Sequence, residues 1–145
     1  MDASALVTVV TLRNQKVLFE GISATNPGRP LPIDYLPPAG DGEGFRGLEL
    51  LLLAFGGCVS TCVVFLLRKS GKRVESYSMR AAGEKREKPL SLAKIRVEVE
   101  LDSPDTSEAE LAAFVETAKG LSPVWLAIAG NVEVEVAARV ASAVA

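Results

Sequence analysis

Between Leu92 and Leu101 the chain alternates with a period of two. Ile95, Val97, Val99 and Leu101 fall on one face, and Lys94, Arg96, Glu98 and Glu100 on the other. That pattern predicts an antiparallel strand with one buried face. Ala5 to Leu12 is a β-branched run and reads as a second strand. Asn14-Gln15 can turn the chain so that Lys16 to Glu20 returns beside it as a hairpin. Lys72 to Ala82 reads as a further strand, followed by a charged turn over Gly83 to Pro89. Asn131 to Ala137 is the last strand, and the alanine-rich stretch Ala137 to Ala145 reads as a frayed tail.

Helical signals lie between these strands. Gly47 to Ser70 predicts one long helix, with Arg68 and Lys69 near its C-terminus and Gly71 to stop it. Gly56-Gly57 marks a close packing point or a kink in it. Ser107-Glu108-Ala109-Glu110 is a capping box. The helix it opens presents Leu111, Phe114, Val115 and Ala118 to the core and stops at Gly120. Ser122-Pro123 then starts a short helix, with serine at N-cap and proline at N1. Asn26 to Gly44 carries five prolines and four glycines. It predicts a long irregular connection with a short extended piece at Pro32 to Tyr35, and loops of that length are commonly functional.

The long helix admits two environments. Leu50 to Leu67 is eighteen residues without a charge, bracketed by Glu49 and Arg68. That is the lower edge of a bilayer span. The alternative is a helix apolar all round and buried in a protein core. The core reading is preferred, because the strands have one apolar face each and need a helix to cover them. The expected class is therefore α+β, with antiparallel sheets packed around a long central helix in a single domain over residues 1–145.

Composition narrows the chemistry. The formal net charge is −2, and the densest basic run, Lys85-Arg86-Glu87-Lys88, is broken by a glutamate. No nucleic-acid partner is expected. There are two cysteines, four residues apart, and no histidine. This is no disulfide framework, and a reducing, cytoplasmic setting is the simpler expectation. The absence of histidine excludes Ser–His and Cys–His catalytic pairs. No metal-ligand cluster is evident, and neither a metal nor a cofactor is expected. Met1 to Val10 has no basic region before an apolar stretch, so no signal peptide and no membrane partner are expected there. Thiol, carboxylate and arginine chemistry remain.

On a helical wheel Cys58 and Cys62 share a stripe with Leu51, Phe55 and Phe65, which would place both sulfurs in an apolar groove. A free cysteine also packs as a small hydrophobe, and an apolar site suppresses thiol reactivity unless a cation is near. Glu49 is nine residues before Cys58, or about 900° of helix, and so points to the opposite side of an unbroken helix. It suits the helix N-terminus by the dipole. To work on Cys58 it requires a kink at Gly56-Gly57 or the site of another subunit.

The run Gly44-Phe45-Arg46-Gly47-Leu48-Glu49-Leu50-Leu51-Leu52-Leu53-Ala54-Phe55-Gly56-Gly57-Cys58 resembles the signature of the OsmC-like family, which includes organic hydroperoxide resistance proteins. The resemblance continues through Leu66 to Gly71, Val74-Glu75, Gly83 and Pro89. It includes Pro32-Ile33-Asp34-Tyr35 upstream and Ser122-Pro123-Val124 downstream, where the family usually has Cys-Pro-Val. It implies an intertwined homodimer in which each subunit's N-terminal strands join the other's sheet. It also implies a thiol peroxidase acting on a small organic hydroperoxide, with Cys58 as the attacking thiol. A second cysteine then closes a disulfide that an external thiol reduces.

Three positions depart from the pattern. Ser122 replaces the second cysteine. Leu48 stands where hydroperoxide-resistance members carry glutamate, with Glu49 one step away. Arg13 is the nearest match to the activating arginine, with Arg29 and Arg46 as alternatives. The resemblance thus assigns Cys58, Glu49 and Arg13 to the site, with one-cysteine chemistry and an external thiol reductant. Cys62 is a minor candidate resolver. The alternative is a non-catalytic member that binds an apolar small molecule at the dimer interface.

Overall fold

The computed structural model describes residues 5–141. They fall into two compact units, divided between Leu51 and Leu52. The first unit holds a three-stranded antiparallel sheet in the order β1 (Thr8–Leu12), β2 (Phe19–Ser23), β3 (Leu31–Ile33). The hairpin is present, but its second strand starts at Phe19 rather than Lys16. The displacement comes from Asn14, whose Oδ1 accepts the amides of Lys16 at 2.9 Å and Leu18 at 3.1 Å. This side-chain acceptor holds the intervening residues in a turn and delays pairing.

The long connection is organised by one carboxylate. Asp34 is 3% exposed. Its Oδ1 accepts the Tyr35 amide at 2.7 Å, and its Oδ2 accepts those of Asp41 at 3.2 Å and Glu43 at 3.0 Å. Gly40 passes so close that a Cβ there would lie 2.2 Å from Asp34 Oδ1. The Glu43 amide first, then those of Tyr35 and Asp41, hold the Asp34 carboxyl below its ordinary range against the opposing effect of burial.

The helix α1 (Gly47–Lys69) starts in the first unit and passes through Gly56-Gly57 as one helical element. It ends as expected at Gly71, whose φ of +76° is the left-handed conformation that glycine adopts without strain.

The second unit is built on a sheet ordered β4 (Ser76–Glu87), β5 (Leu90–Asp102), β6 (Glu133–Val140). Ile95, Val97, Val99 and Leu101 of β5 are buried, as the alternation predicts. The outer face carries cross-strand ion pairs, including Arg96–Glu84 at 2.6 Å, Arg96–Glu135 at 3.0 Å and Arg139–Glu100 at 3.0 Å. Exposed pairs of this kind contribute little to stability and mainly favour one register.

Four expectations are corrected in this unit. The charged turn over Gly83 to Pro89 is strand as far as Glu87, pairing with β5 with one register shift between Glu84 and Lys85. Gly83 is within the strand because Leu92 and Leu52 cross above it. A Cβ there would sit 2.7 Å from Leu92 Cδ2 and 3.3 Å from Leu52 Cδ1. Strand β4 begins at Ser76, not Lys72, because Asp105 captures residues 72 and 73. Its Oδ1 accepts the Arg73 amide at 3.0 Å and its carbonyl accepts Lys72 Nζ at 2.8 Å. The last strand reaches Val140, and it pairs parallel to β5, so the sheet is mixed. The expected tail is therefore strand through Val140, and residues 142–145 lie outside the described residues.

The long helix is also less enclosed than a core helix apolar on all sides. Only Phe55, Val59, Val63 and Leu67 are fully buried, while Leu53 is 58% and Phe65 60% exposed. A parallel pair needs a crossover, and here it contains α2 (Glu108–Lys119) and α3 (Pro123–Ile128). The Ser107 capping box is complete, with the Glu110 amide on Ser107 Oγ at 3.1 Å and the Ser107 amide on Glu110 Oε2 at 2.9 Å. Leu111, Val115 and Ala118 are buried as expected, and Phe114 only partly.

Because Asp34 is held ionised in the folded chain, its contribution to stability is complete above the ordinary carboxyl range near 3.8. It is lost as pH falls below that range through the depressed folded value. Asp34→Asn removes an acceptor oxygen from these amides. It should lower the thermal midpoint at neutral pH and flatten the loss of stability below about pH 4, as read by circular dichroism. An unchanged acid profile would contradict the role given to this carboxylate.

Candidate functional site

Cys58 lies on α1 one residue before the buried Val59, and its side chain is half-buried. The Ser122 hydroxyl donates to its Sγ at 3.1 Å. Ser122 is fully buried and is the N-cap of α3, as the Ser-Pro pair predicts; its Oγ accepts the Trp125 amide at 3.2 Å. Trp125 in turn packs on Phe55, with ring centroids 5.3 Å apart. The Lys119 ammonium lies 5.1 Å over the Trp125 ring and pairs with Glu116 at 2.7 Å. The sulfur therefore has an aromatic pair nearby and one fixed hydroxyl donor. Residues 58 and 122, far apart in sequence, are brought together by the crossover between β5 and β6.

Cys62, one turn further on, is also free and half-buried. Burial first, and the neighbouring Cys58 second, push its thiol above the ordinary value of 9.0. The stripe expected to enclose both sulfurs is buried at Phe55 but open at Phe65. A polar cluster unmarked in the sequence flanks the helix. Tyr77 donates to Ser60 Oγ at 3.0 Å, and Ser60 donates to Met79 Sδ at 3.7 Å. Trp125 was likewise not singled out by sequence. Its signal was its place three residues after an N-cap serine, where the amide reaches back to the cap oxygen.

Glu49 and Arg13 belong to the first unit. Glu49 Oε2 accepts the Arg46 amide at 3.0 Å, and its Oε1 pairs with the Arg46 guanidinium at 2.7 Å. The Arg46 amide and then its side chain hold the Glu49 carboxyl below the usual range. Here the carboxylate caps the start of α1. Arg13 pairs with Glu20 at 2.5 Å. Arg29 lies in the exposed loop between β2 and β3.

These elements define an α+β protein with two sheets, a long helix and a helix-borne thiol. The sequence pattern of the OsmC-like protein family matches residues 40–137, and the chain belongs to that family. Among solved structures it is similar to an OsmC-like protein from Mycoplasma pneumoniae, with 19% identity, all of both chains covered and a TM-score of 0.78. A hypothetical protein from Aquifex aeolicus shares 18% identity over 94% of this chain and 96% of that one, at a TM-score of 0.80. An organic hydroperoxide resistance protein from Legionella pneumophila shares 16% identity over 95% and 98%, at 0.71. At these identities the likeness is one of fold. No curated protein matches the chain.

Since its thiol is disfavoured from ionising, Cys62 should alkylate more slowly than Cys58 at neutral pH. Peptide mass spectrometry after brief treatment with iodoacetamide should find label on the Cys58 peptide first. Equal or reversed labelling would remove the distinction between the two thiols.

Proposed function

We propose that the protein reduces hydroperoxides, organic ones above all, by one-cysteine chemistry at Cys58 with an external thiol as reductant. The observation that carries this reading is the hydrogen bond from Ser122 to Cys58 Sγ at 3.1 Å, in a chain of the OsmC-like family. It supports an alignment in which Ser122 replaces a resolving thiol. In this reading the Cys58 thiolate attacks the distal oxygen of ROOH. The O–O bond breaks, an S–O bond forms, and the alkoxide takes a proton to leave as ROH. The Cys58 sulfenic acid condenses with one external thiol, releasing water and leaving a mixed disulfide. A second external thiol displaces Cys58 and carries away the oxidised pair.

The reading gives Arg13 the role of the cation that stabilises the thiolate and the departing oxygen. It keeps Glu49, which pairs with Arg46 within its own chain, as the carboxylate that the resemblance assigns to the site. The working form is a cytoplasmic homodimer in which each subunit's N-terminal strands join the partner's sheet. Support comes from β1, whose five residues are all exposed although Val9, Val10 and Leu12 are apolar. An open apolar strand of this kind is normally covered.

Light scattering at micromolar concentration should give twice the mass of the chain; a monomer would remove the interface from the reading. With an organic hydroperoxide, Cys58 should become sulfenic acid and, at high peroxide, sulfinic acid, read as mass shifts on its peptide. Ser122→Cys weakens the N-cap, which should cost about 1 kcal/mol of stability. It should form a disulfide with Cys58 on oxidation and turn over faster than the parent with a dithiol. If Cys58 stays unmodified in both proteins, the peroxidase reading fails. The serine at 122 then favours a non-catalytic protein that binds an apolar small molecule at the dimer interface.

A further inference from the structure

Ser122 does more than stand in place of a second thiol. Its oxygen has two polar neighbours, and their chemistry fixes the direction of each hydrogen bond. The Trp125 amide can only donate, so the oxygen accepts at 3.2 Å. That leaves the single hydroxyl hydrogen, which is directed at Cys58 Sγ 3.1 Å away. Ser122 has no exposed surface, so no bulk water competes for that hydrogen. Hydroxyls on a surface rotate to suit any neighbour, but this one is locked on its acceptor side by the first turn of α3.

A neutral thiol is a weak acceptor. An anionic sulfur is a strong one, and a hydrogen bond to an ion is roughly twice as strong as one between neutral groups. The same donor therefore acts differently on the two states of Cys58. Cys62 lacks such a donor: no hydroxyl is hydrogen-bonded to it among the described residues.

We propose that Ser122 is a positioning residue for Cys58, a buried, pre-aimed hydroxyl that orients the sulfur and solvates its anionic form. The inference deepens the reading of Cys58 as the reacting thiol and rests on it for its purpose, although not for its geometry. A cysteine at this position offers a weaker donor that is itself consumed by oxidation, whereas serine is a donor that oxidation of Cys58 leaves intact. Fixing the donor also fixes the chemistry after oxygen transfer. Position 122 holds no thiol to condense with the sulfenic acid, so the next nucleophile at that sulfur comes from elsewhere.

The test compares the parent with Ser122→Thr, Ser122→Ala and Ser122→Gly in the full chain. Threonine keeps both the cap acceptor and the hydroxyl. Glycine loses the hydroxyl but is tolerated at an N-cap, so cap and donor are separated. The Cys58 alkylation rate by iodoacetamide is measured by peptide mass spectrometry at neutral pH and on its alkaline plateau. The ratio of the two rates should fall about five- to tenfold in the alanine and glycine variants. It should stay within about twofold of the parent in the threonine variant. The Cys62 ratio should not move in any of them. A widened pocket would alter the plateau and leave the ratio unchanged, so an unchanged ratio in alanine and glycine overturns the proposal. So does an equal fall in threonine, or a parallel fall at Cys62, either of which marks a general disturbance of packing. Oxidation of Cys58 by hydroperoxide in the parent is scored separately. If it fails while the alkylation ratios behave as stated, the peroxidase reading falls and the positioning role stands.

Discussion

The inner face of β5 is the constraint on which the second unit depends. Ile95, Val97, Val99 and Leu101 each contribute about 1.5–3 kcal/mol by leaving water, and only if something apolar covers them. The flanking strands cannot supply that cover, since they lie beside β5 and not over it. Leu52 at the start of this unit's share of α1 meets Leu92 above Gly83, the strand residue where the missing side chain makes room. Further along the helix Gly56 faces Met79, and Ser60 meets Tyr77 and Met79. The helix is thus seated against β4 and the start of β5 by small residues and short polar contacts.

The same sheet dictates where the site forms. Because β6 runs parallel to β5, the chain must travel the length of the sheet before pairing again. Residues 103–132 make that journey. Ser103 starts it by donating to Asp105 Oδ1 and sharing a hydrogen bond with the Thr106 hydroxyl, both at 2.9 Å, in a tight turn ahead of the α2 capping box. The chain leaves α2 at Gly120 and re-enters a helix at Ser122 beside the buried stripe of α1. A serine there meets two demands at once, the cap of α3 and a partner for the Cys58 sulfur. A buried hydroxyl without both would cost more than either bond contributes.

The helix that carries Cys58 is long and apolar enough to cross a membrane by length and composition. Its exposed apolar residues, Leu53, Ala54 and Phe65, lie away from the buried stripe of Phe55, Val59, Val63 and Leu67. Hydropathy averages over both faces and so cannot separate a bilayer from a protein surface as the solvent for the second one. This is why the sequence left two environments open for the segment, and why one buried stripe replaces the expected all-round burial.

Local features were legible wherever the physical rule is itself local. The period-two alternation of β5, the Ser107 capping box, the Ser122-Pro123 helix start and the Gly71 stop all follow from neighbours within four residues, and the structure has each of them. The family signature around Cys58 was equally readable. The failures share a cause. Gly83 and the charges after it looked like a turn because the sequence cannot show Leu52 and Leu92 crossing above the glycine. Lys72 to Glu75 looked like strand because the sequence cannot show that Asp105, some thirty residues away, takes the Arg73 amide and the Lys72 ammonium. The hydrogen bond from Ser122 to Cys58 was of the same kind. The sequence by itself determined which residues are chemically able to react and where the secondary structure begins. Only the tertiary structure decided which of them meet, because a parallel strand pair and its crossover close contacts over distances that no local preference encodes.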